Sequence, residues 1–327
     1  MEEAASRQIN YLRMSITDRC QLRCVYCTYW QEWQKRPPAE ILRYEELLRL
    51  AAIAAEGGIR KIRITGGEPL VRRGIVGFLQ DLNRIPGIDK VGLTTNGVLL
   101  RELAPAIYNA GVRHLNVSLD TLKRDRYHQI TGNDKLSAVM AGLERAASLG
   151  FHPLKINCVV LRGINDDEIL DIAQLAREHP FQVRFIELMP TTSQPWWQRH
   201  FLSMAEVRQR LAVLGPLEPL PREAAAGPAR TFRLPGFEGE LGFISPMSEH
   251  HCRTCNRLRL SSDGKVRPCL LRSQALDLKG PLRQGVSDDF LNYLFQEAIQ
   301  LKNWNTGHSL PNHGLILRDL PMVGIGG

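Results

Sequence analysis

The sequence predicts an α/β protein: a parallel sheet with helices outside it. Three observations carry this. Six short apolar runs alternate with amphipathic stretches between Leu12 and Glu187. The helical stretches close near Gly, as C-caps do, and the apolar runs stop at polar or Gly residues. The 327 residues suffice for one large α/β unit with an appendage, or about two domains. Repeated βα units of this length align their strands in parallel, because each helix carries the chain back across the sheet.

Taken in order, Leu12–Ile16 reads as the first strand, and Tyr44–Glu56 as an amphipathic helix followed by Gly57 and Gly58. Lys61–Thr65 is a strand ended by Gly66 and Gly67; Ile75–Arg84 is a helix. Val91–Thr95 is a strand before Asn96 and Gly97, and Leu100–Ala110 is a helix closed by Gly111. His114–Ser118 is a strand, Leu136–Leu149 a helix closed by Gly150, and Leu154–Leu161 a strand. Asp166–Glu178 is a helix and Gln182–Glu187 the sixth strand. Six such strands either close part of a barrel or wind into an open sheet. Both folds keep the active site at the carboxyl ends of the strands, where the polar residues gather here.

The pattern changes after about residue 215. Residues 215–235 are rich in Pro, Ala and Gly and read as a linker or long loop, 288–303 as a last helix, and the chain ends in Gly326 and Gly327. The expected division is therefore 1–215 and 216–327.

A composition of 43% hydrophobic and 23% charged residues excludes a wholly disordered or fibrous chain. No run reaches the roughly 18 apolar residues of a membrane span. The N-terminal stretch MEEAASRQINYLRMS starts acidic and has no apolar core of signal-peptide type, so a cytoplasmic protein is expected. Lys and Arg number 42 against 34 acidic residues, a net charge of +8. That balance admits an anionic partner, whether nucleic acid or nucleotide, and equally a plain basic surface.

The cysteines say more. Six of the seven form two trios, Cys20, Cys24 and Cys27, then Cys252, Cys255 and Cys269; Cys158 stands alone in an alternating strand and reads as a buried small side chain. An odd count without an export signal argues against disulfides and for two metal sites. In CQLRCVYC, three thiolates on one short loop leave one metal position without a protein ligand. A [4Fe–4S] cluster with one open iron satisfies that; zinc with a remote fourth ligand such as His is the alternative. The second trio, in HCRTCNRLRLSSDGKVRPC, poses the same choice, with His250 and His251 as further zinc candidates.

CxxxCxxC after an early strand resembles the signature of the radical S-adenosylmethionine superfamily, and Gly66-Gly67-Glu68-Pro69 resembles its GGEP element. By itself the latter is also a sound tight turn before a helix. The resemblance implies a partial (β/α)6 TIM barrel of the radical S-adenosylmethionine type, with a C-terminal α+β extension closing the barrel mouth. It implies a cluster on Cys20, Cys24 and Cys27 whose open iron binds S-adenosylmethionine. Tyr26 and Met189 would contact the adenine through their backbones, Gly67 the methionine end, and Ser118 the cofactor. Met189 also reads as an ordinary core methionine.

The second trio narrows the resemblance. FISPMSEHHCRTCNRLRLSSDGKVRPCL, LRMSITDRC, RITGGEPLVRR, SLDTLKRDRYHQITG, KINCVVLRGINDDE, RFIELMP and the double-Gly end are similar to the GTP 3′,8-cyclase family, the first enzymes of molybdenum cofactor biosynthesis. That resemblance implies a second [4Fe–4S] cluster, on Cys252, Cys255 and Cys269, that holds the guanine. It places GTP against Arg13, Arg63, Thr94, Lys155, Arg257, Leu258 and Arg259, and brings Gly326 and Gly327 into the site beside Arg13. The implied reaction abstracts hydrogen from C3′ and joins C3′ to C8, giving (8S)-3′,8-cyclo-7,8-dihydroguanosine 5′-triphosphate. Electrons would come from ferredoxin or flavodoxin, and the product would pass to cyclic pyranopterin monophosphate synthase. No membrane or nucleic-acid partner is implied, and the chain would be a monomer or homodimer.

Arginine suits this reading physically. A guanidinium on a barrel-facing strand is costly to bury without an anionic partner, and its fork of donors matches phosphate oxygens. Two segments depart from the family pattern. TYWQEWQKR after Cys27 lacks a Met-Pro, and TTSQPWWQRH after Pro190 lacks an early Gly; Trp30, Trp33, Trp196 and Trp197 are expected to pack these loops together. Two other readings stay open. One is a radical enzyme acting on another substrate, such as a peptide, and the other is a zinc-containing nucleic-acid-binding protein. The former wants an extra peptide-binding domain or further cysteines, and the latter a continuous basic and aromatic groove; the sequence has neither.

Overall fold

A computed structural model describes residues 8–27, 34–190, 194–221, 227–249, 254–271, 274–304 and 322. In it the predicted alternation is realised as β1 (Tyr11–Ser15), α1 (Tyr44–Glu56), β2 (Lys61–Thr65), α2 (Ile75–Leu82), β3 (Lys90–Thr95), α3 (Leu100–Asn109) and β4 (His114–Ser118). Next come α4 (Arg124–Thr131), α5 (Leu136–Ser148), β5 (Leu154–Val160), α6 (Ile169–Glu178), β6 (Gln182–Glu187), α7 (Gln194–His200) and α8 (Met204–Leu211). The C-terminal part supplies β7 (Glu218–Pro219), β8 (Arg230–Arg233), β9 (Glu240–Ile244), β10 (Arg257–Leu260), β11 (Lys265–Arg267), β12 (Leu276–Asp277), α9 (Lys279–Arg283) and α10 (Asp288–Trp304).

Strands β1 to β6 pair in sequence order and in parallel. The C-terminal part builds no sheet of its own among the described residues. Instead β9 pairs in parallel with β6, and β10 pairs in parallel with β1, so the later strands lengthen both edges of the first sheet. The outermost pairs, β8 with β7 and β11 with β12, are antiparallel. The two edges do not pair with each other among the described residues, which leaves an open arc, a partial barrel.

Side chains alternate across each strand. Leu12, Met14, Ile62, Ile64, Leu93, Ile156 and Phe185 are fully buried against the outer helices. Their neighbours Arg13, Arg63, Thr94, Lys155 and Arg184 point into the concave side and line a cavity there. The helices cover the other face with apolar stripes, such as Leu47, Leu50 and Ala54 of α1. The polar face of the arc is therefore its inside.

Three expectations change. The segment 215–235 is no plain linker, since it carries β7 and β8; these pair with each other, which its Pro, Ala and Gly content does not show. Not every helix closes at Gly: α2 ends at Asn83 and α6 at His179, just before Pro180. Finally, α4, α7 and α8 were not anticipated. The sequence of α4 is mostly polar and buries only Tyr127, Ile130 and Thr131, so its apolar periodicity is faint.

Candidate active site

The site grows from the loop after β1. The Thr17–Arg19 backbone is held by the turn after β2: the Gly67 amide donates to Thr17 O at 2.7 Å, and the Glu68 amide to Arg19 O at 2.8 Å. A Cβ on Gly67 would lie 2.4 Å from Arg19 O, so only glycine permits this approach. From the other side, the end of α4 grips the cysteine loop. Arg23 N donates to Thr131 O at 2.7 Å and Val25 N to Ile130 O at 2.9 Å. Cys20, Cys24 and Cys27 are thereby fixed on one wall of a cavity of about 370 Å³. The Tyr26 phenol reaches across to Asp120 Oδ2 at 2.5 Å.

Burial raises the Cys20 thiol to about 11 and Cys27 to about 12, and lifts Cys24 well above its usual range; the neighbouring thiolates oppose one another further. Three half-buried thiols so raised lose their protons together only beside a compensating cation, which bound metal supplies. Among the described residues no three His, Cys, Asp or Glu side chains lie close enough to share one metal ion.

The described members of the second set, Cys255 and Cys269, lie at the opposite end of the same strands. Cys255 stands just before β10, which runs parallel to β1, and Cys269 just after the antiparallel β11. Both are therefore at the amino end of β1, whereas Cys20, Cys24 and Cys27 follow its carboxyl end. Burial raises the Cys255 thiol, but Arg257 and Lys302 outweigh it and bring it down to about 6. Lys302, from α10, donates to Pro268 O at 2.7 Å beside Cys269.

Between the two sets lies a field of cations. Arg259, Arg13 and Arg63 stand side by side on β10, β1 and β2, and Arg257, Tyr11 and Lys61 form the row beneath them. Arg63 takes the space left by Gly92, where a Cβ would sit 2.7 Å from its Nη2, and donates to Tyr11 Oη at 3.0 Å and Leu93 O at 3.1 Å. Arg184 likewise lies over Gly242, whose Cβ would come 2.8 Å from its Cγ.

The protonation states report the crowding. Burial and then the neighbouring Arg184, Arg63 and Lys61 lower Lys155 to about 7. Burial, followed by Arg63, lowers Arg184 to about 9. Burial alone would raise Tyr11, yet Arg63, Arg13, Lys61 and Arg257 together bring it down to about 7. Thr94 Oγ1, Asn116 Oδ1, Asn157 Oδ1, and Nε and Nη2 of Arg184 are buried without a hydrogen-bond partner among the described residues. A wall of this kind fits a polyanion that also carries neutral polar groups.

Of the residues singled out from the sequence, Arg13, Arg63, Thr94, Lys155, Arg257, Arg259, Tyr26, Gly67, Ser118 and Met189 line this one cavity with Cys20, Cys24, Cys27, Cys255 and Cys269. Leu258 does not, because its side chain is fully buried on the opposite face of β10. Cys158 is buried away from the cavity, as expected. Cys252, His250, His251, Gly326, Gly327, Trp30 and Trp33 lie outside the described residues. Trp197 braces the end of β6, donating from Nε1 to Leu188 O at 2.9 Å, while Trp196 packs on His200. From the tail, Met322 lines the cavity and donates its amide to Cys27 O at 3.2 Å. Sequence reasoning missed Tyr11, Lys61, Asn116, Arg184 and Lys302. The resemblance did not mark Arg184, although, like Arg63, it is a cation alternating with buried apolar residues on a strand; Lys302, one cation near the end of an amphipathic helix, gave no sign.

Residues 14–176 match the Radical SAM superfamily, and residues 181–308 match the Molybdenum Cofactor Synthesis C family. The fold resembles the crystal structure of Streptococcus suis SuiB bound to S-adenosylmethionine, with a TM-score of 0.65 at 14% identity, over 95% of this chain and 72% of that one. Fold and site together define a radical S-adenosylmethionine protein. The "GTP 3′,8-cyclase" of Moorella thermoacetica is 48% identical over 92% of this chain and 94% of its own length. That of Heliobacterium modesticaldum is 44% identical over the full length of both. The chain belongs to the GTP 3′,8-cyclase family.

Proposed function

We propose that the chain cyclises GTP between C3′ and C8, the first step of molybdenum cofactor biosynthesis, with residues 1–215 forming the radical-generating part and 216–327 the substrate-holding part. The observation that carries this is the block of adjacent cations on β10, β1 and β2, set between two groups of cysteines at opposite ends of the same strands. Cys20, Cys24 and Cys27 would hold one [4Fe–4S] cluster, and Cys252, Cys255 and Cys269 the other. When bound, the first cluster and S-adenosylmethionine supply a 5′-deoxyadenosyl radical that abstracts hydrogen, and the second cluster anchors the guanine.

The chain's own residues do the positioning. Arg13, Arg63, Arg257 and Arg259, with Lys61, Lys155 and Arg184, neutralise the triphosphate and fix the ribose between the two ends, so that C3′ is held for abstraction and C8 for attack. Thr94, Asn116 and Asn157 offer the neutral hydrogen bonds that orient it. Tyr26, Gly67, Ser118 and Met189 shape the S-adenosylmethionine end. Gly326 and Gly327 follow Met322, which docks on Cys27, and would enter the same space. Electrons would come from ferredoxin or flavodoxin, and the product would go to cyclic pyranopterin monophosphate synthase. Among the described residues no helix is long and apolar enough to cross a membrane.

The test is anaerobic incubation of reconstituted protein with GTP, S-adenosylmethionine and dithionite. Formation of 5′-deoxyadenosine coupled to the cyclised nucleotide is expected, with about eight irons and eight sulfides per chain. Cleavage of S-adenosylmethionine that is indifferent to GTP would overturn the substrate assignment.

A further inference from the structure

The turn after β3 faces the first cysteine set and has no part in the reading above. Its geometry is tightly specified. Glu68 is fully buried and accepts from Leu70 N at 2.9 Å, Thr95 Oγ1 at 2.8 Å and Asn96 N at 2.6 Å. Those bonds pin the Asn96 backbone. The side-chain amide is pinned too, because Oδ1 accepts from Val98 N at 3.1 Å and from Gln21 Nε2 at 3.4 Å. With the oxygen so committed, Nδ2 points the other way, and it donates to Cys20 Sγ at 3.6 Å. Cys20 also accepts from Leu22 N at 3.4 Å.

We propose that Asn96 is a positioning residue of the first cluster: its amide N–H, held by the Glu68 turn, fixes the Cys20 thiolate and draws electron density from it. Donors to ligating sulfur make a cluster easier to reduce and orient the ligand. The same turn that braces the cysteine loop through Gly67 thus reaches the ligand itself through Asn96. The inference rests on Cys20, Cys24 and Cys27 holding a cluster.

Two substitutions separate this role from the turn's own stability. Asn96→Ser and Asn96→Asp both keep a side-chain oxygen for Val98 N. Ser is too short to reach Cys20, and Asp turns a carboxylate oxygen toward it. The measurement is an EPR-monitored reductive titration of the full, reconstituted chain. The first cluster is identified as the signal that changes when S-adenosylmethionine is added. Its midpoint potential is expected to move negative in Asn96→Ser and further in Asn96→Asp, with the iron-free proteins melting as the parent does. Loss of about half the iron from Asn96→Asp, with that melting unchanged, would equally support the role. Potentials equal to the parent's in both variants would overturn it, and so would iron loss accompanied by lower melting in both. A parent chain that binds no iron would defeat the cluster assignment itself, and that outcome is visible before any variant is made.

Discussion

The Tyr26 phenol donates a 2.5 Å hydrogen bond to Oδ2 of Asp120, tying the cysteine loop to the segment after β4. Asp120 Oδ1 takes the Val159 amide at 2.8 Å. Burial raises the Asp120 carboxyl to about 6, and these two bonds hold it from going higher. A raised carboxyl binds its proton in the folded state first, so stability associated with it increases as pH falls through that value toward the unfolded one. Tyr26→Phe leaves a buried carboxylate one donor short, and it should destabilise the iron-free chain by about 1–3 kcal/mol at neutral pH. The loss should shrink below about pH 6, where Asp120 carries its own proton. Denaturant unfolding on both sides of that pH checks this, and an equal loss on both sides would count against it.

Gly67→Ala should cost more than an ordinary surface change. Its Cβ would meet Arg19 O at 2.4 Å and push the Thr17–Arg19 backbone away from the turn after β2. A destabilisation of about 2 kcal/mol or more is expected, with iron lost from the first site and retained at the second. Iron and sulfide analysis of the reconstituted variant reads this directly; full iron content would show that the close approach is dispensable.

Arg184→Met should separate stability from binding. The parent buries a guanidinium with two donors that find no partner among the described residues, so replacing it by an apolar chain of similar length should leave the ligand-free melting temperature unchanged or higher. GTP should bind about 10- to 100-fold more weakly, the worth of a charge-assisted hydrogen bond or two to a phosphate. Equilibrium binding by the iron-loaded chain is the measurement. Unchanged affinity would place the triphosphate away from β6.

GTP binding should take up protons. Lys155 is lowered to about 7, chiefly by burial and by Arg184, and Tyr11 is held down at about 7 by the surrounding cations. A bound triphosphate favours the protonated form of both, so affinity should fall as pH rises above about 7. Calorimetry in buffers of different ionisation enthalpy should show uptake of about one to two protons near pH 8 and little near pH 6. Lys155→Met should reduce the uptake. Binding without proton exchange at either pH would contradict this.

Much of the fold was legible because it is local. Lys61–Thr65, His114–Ser118 and Gln182–Glu187 begin and end where the apolar runs do, and Tyr44–Glu56 declares itself by its amphipathic period. The strands that complete the arc were not legible. Arg257–Leu260 finds its partner in Tyr11–Ser15, far away in sequence, and nothing in a four-residue stretch names that partner. The site divides the same way. The cysteine spacing and the GGEP turn are sequence motifs, whereas the Tyr26–Asp120 and Asn96–Cys20 contacts join residues 94 and 76 positions apart.

The sequence by itself determined the chemistry on offer: two trios of thiols, a run of βα units, and cations placed where strands alternate. These are properties of residue type and short spacing. Only the tertiary structure decided where each lies. Parallel pairing of β10 with β1 sets Arg259 beside Arg13 and puts Cys255 and Cys269 at the opposite end of β1 from Cys20, Cys24 and Cys27. Burial then makes that arrangement consequential. Inside the arc, charges that water would have screened act on one another, lowering Lys155 and Tyr11 alike and leaving Arg184 donors that face the cavity with no partner among the described residues.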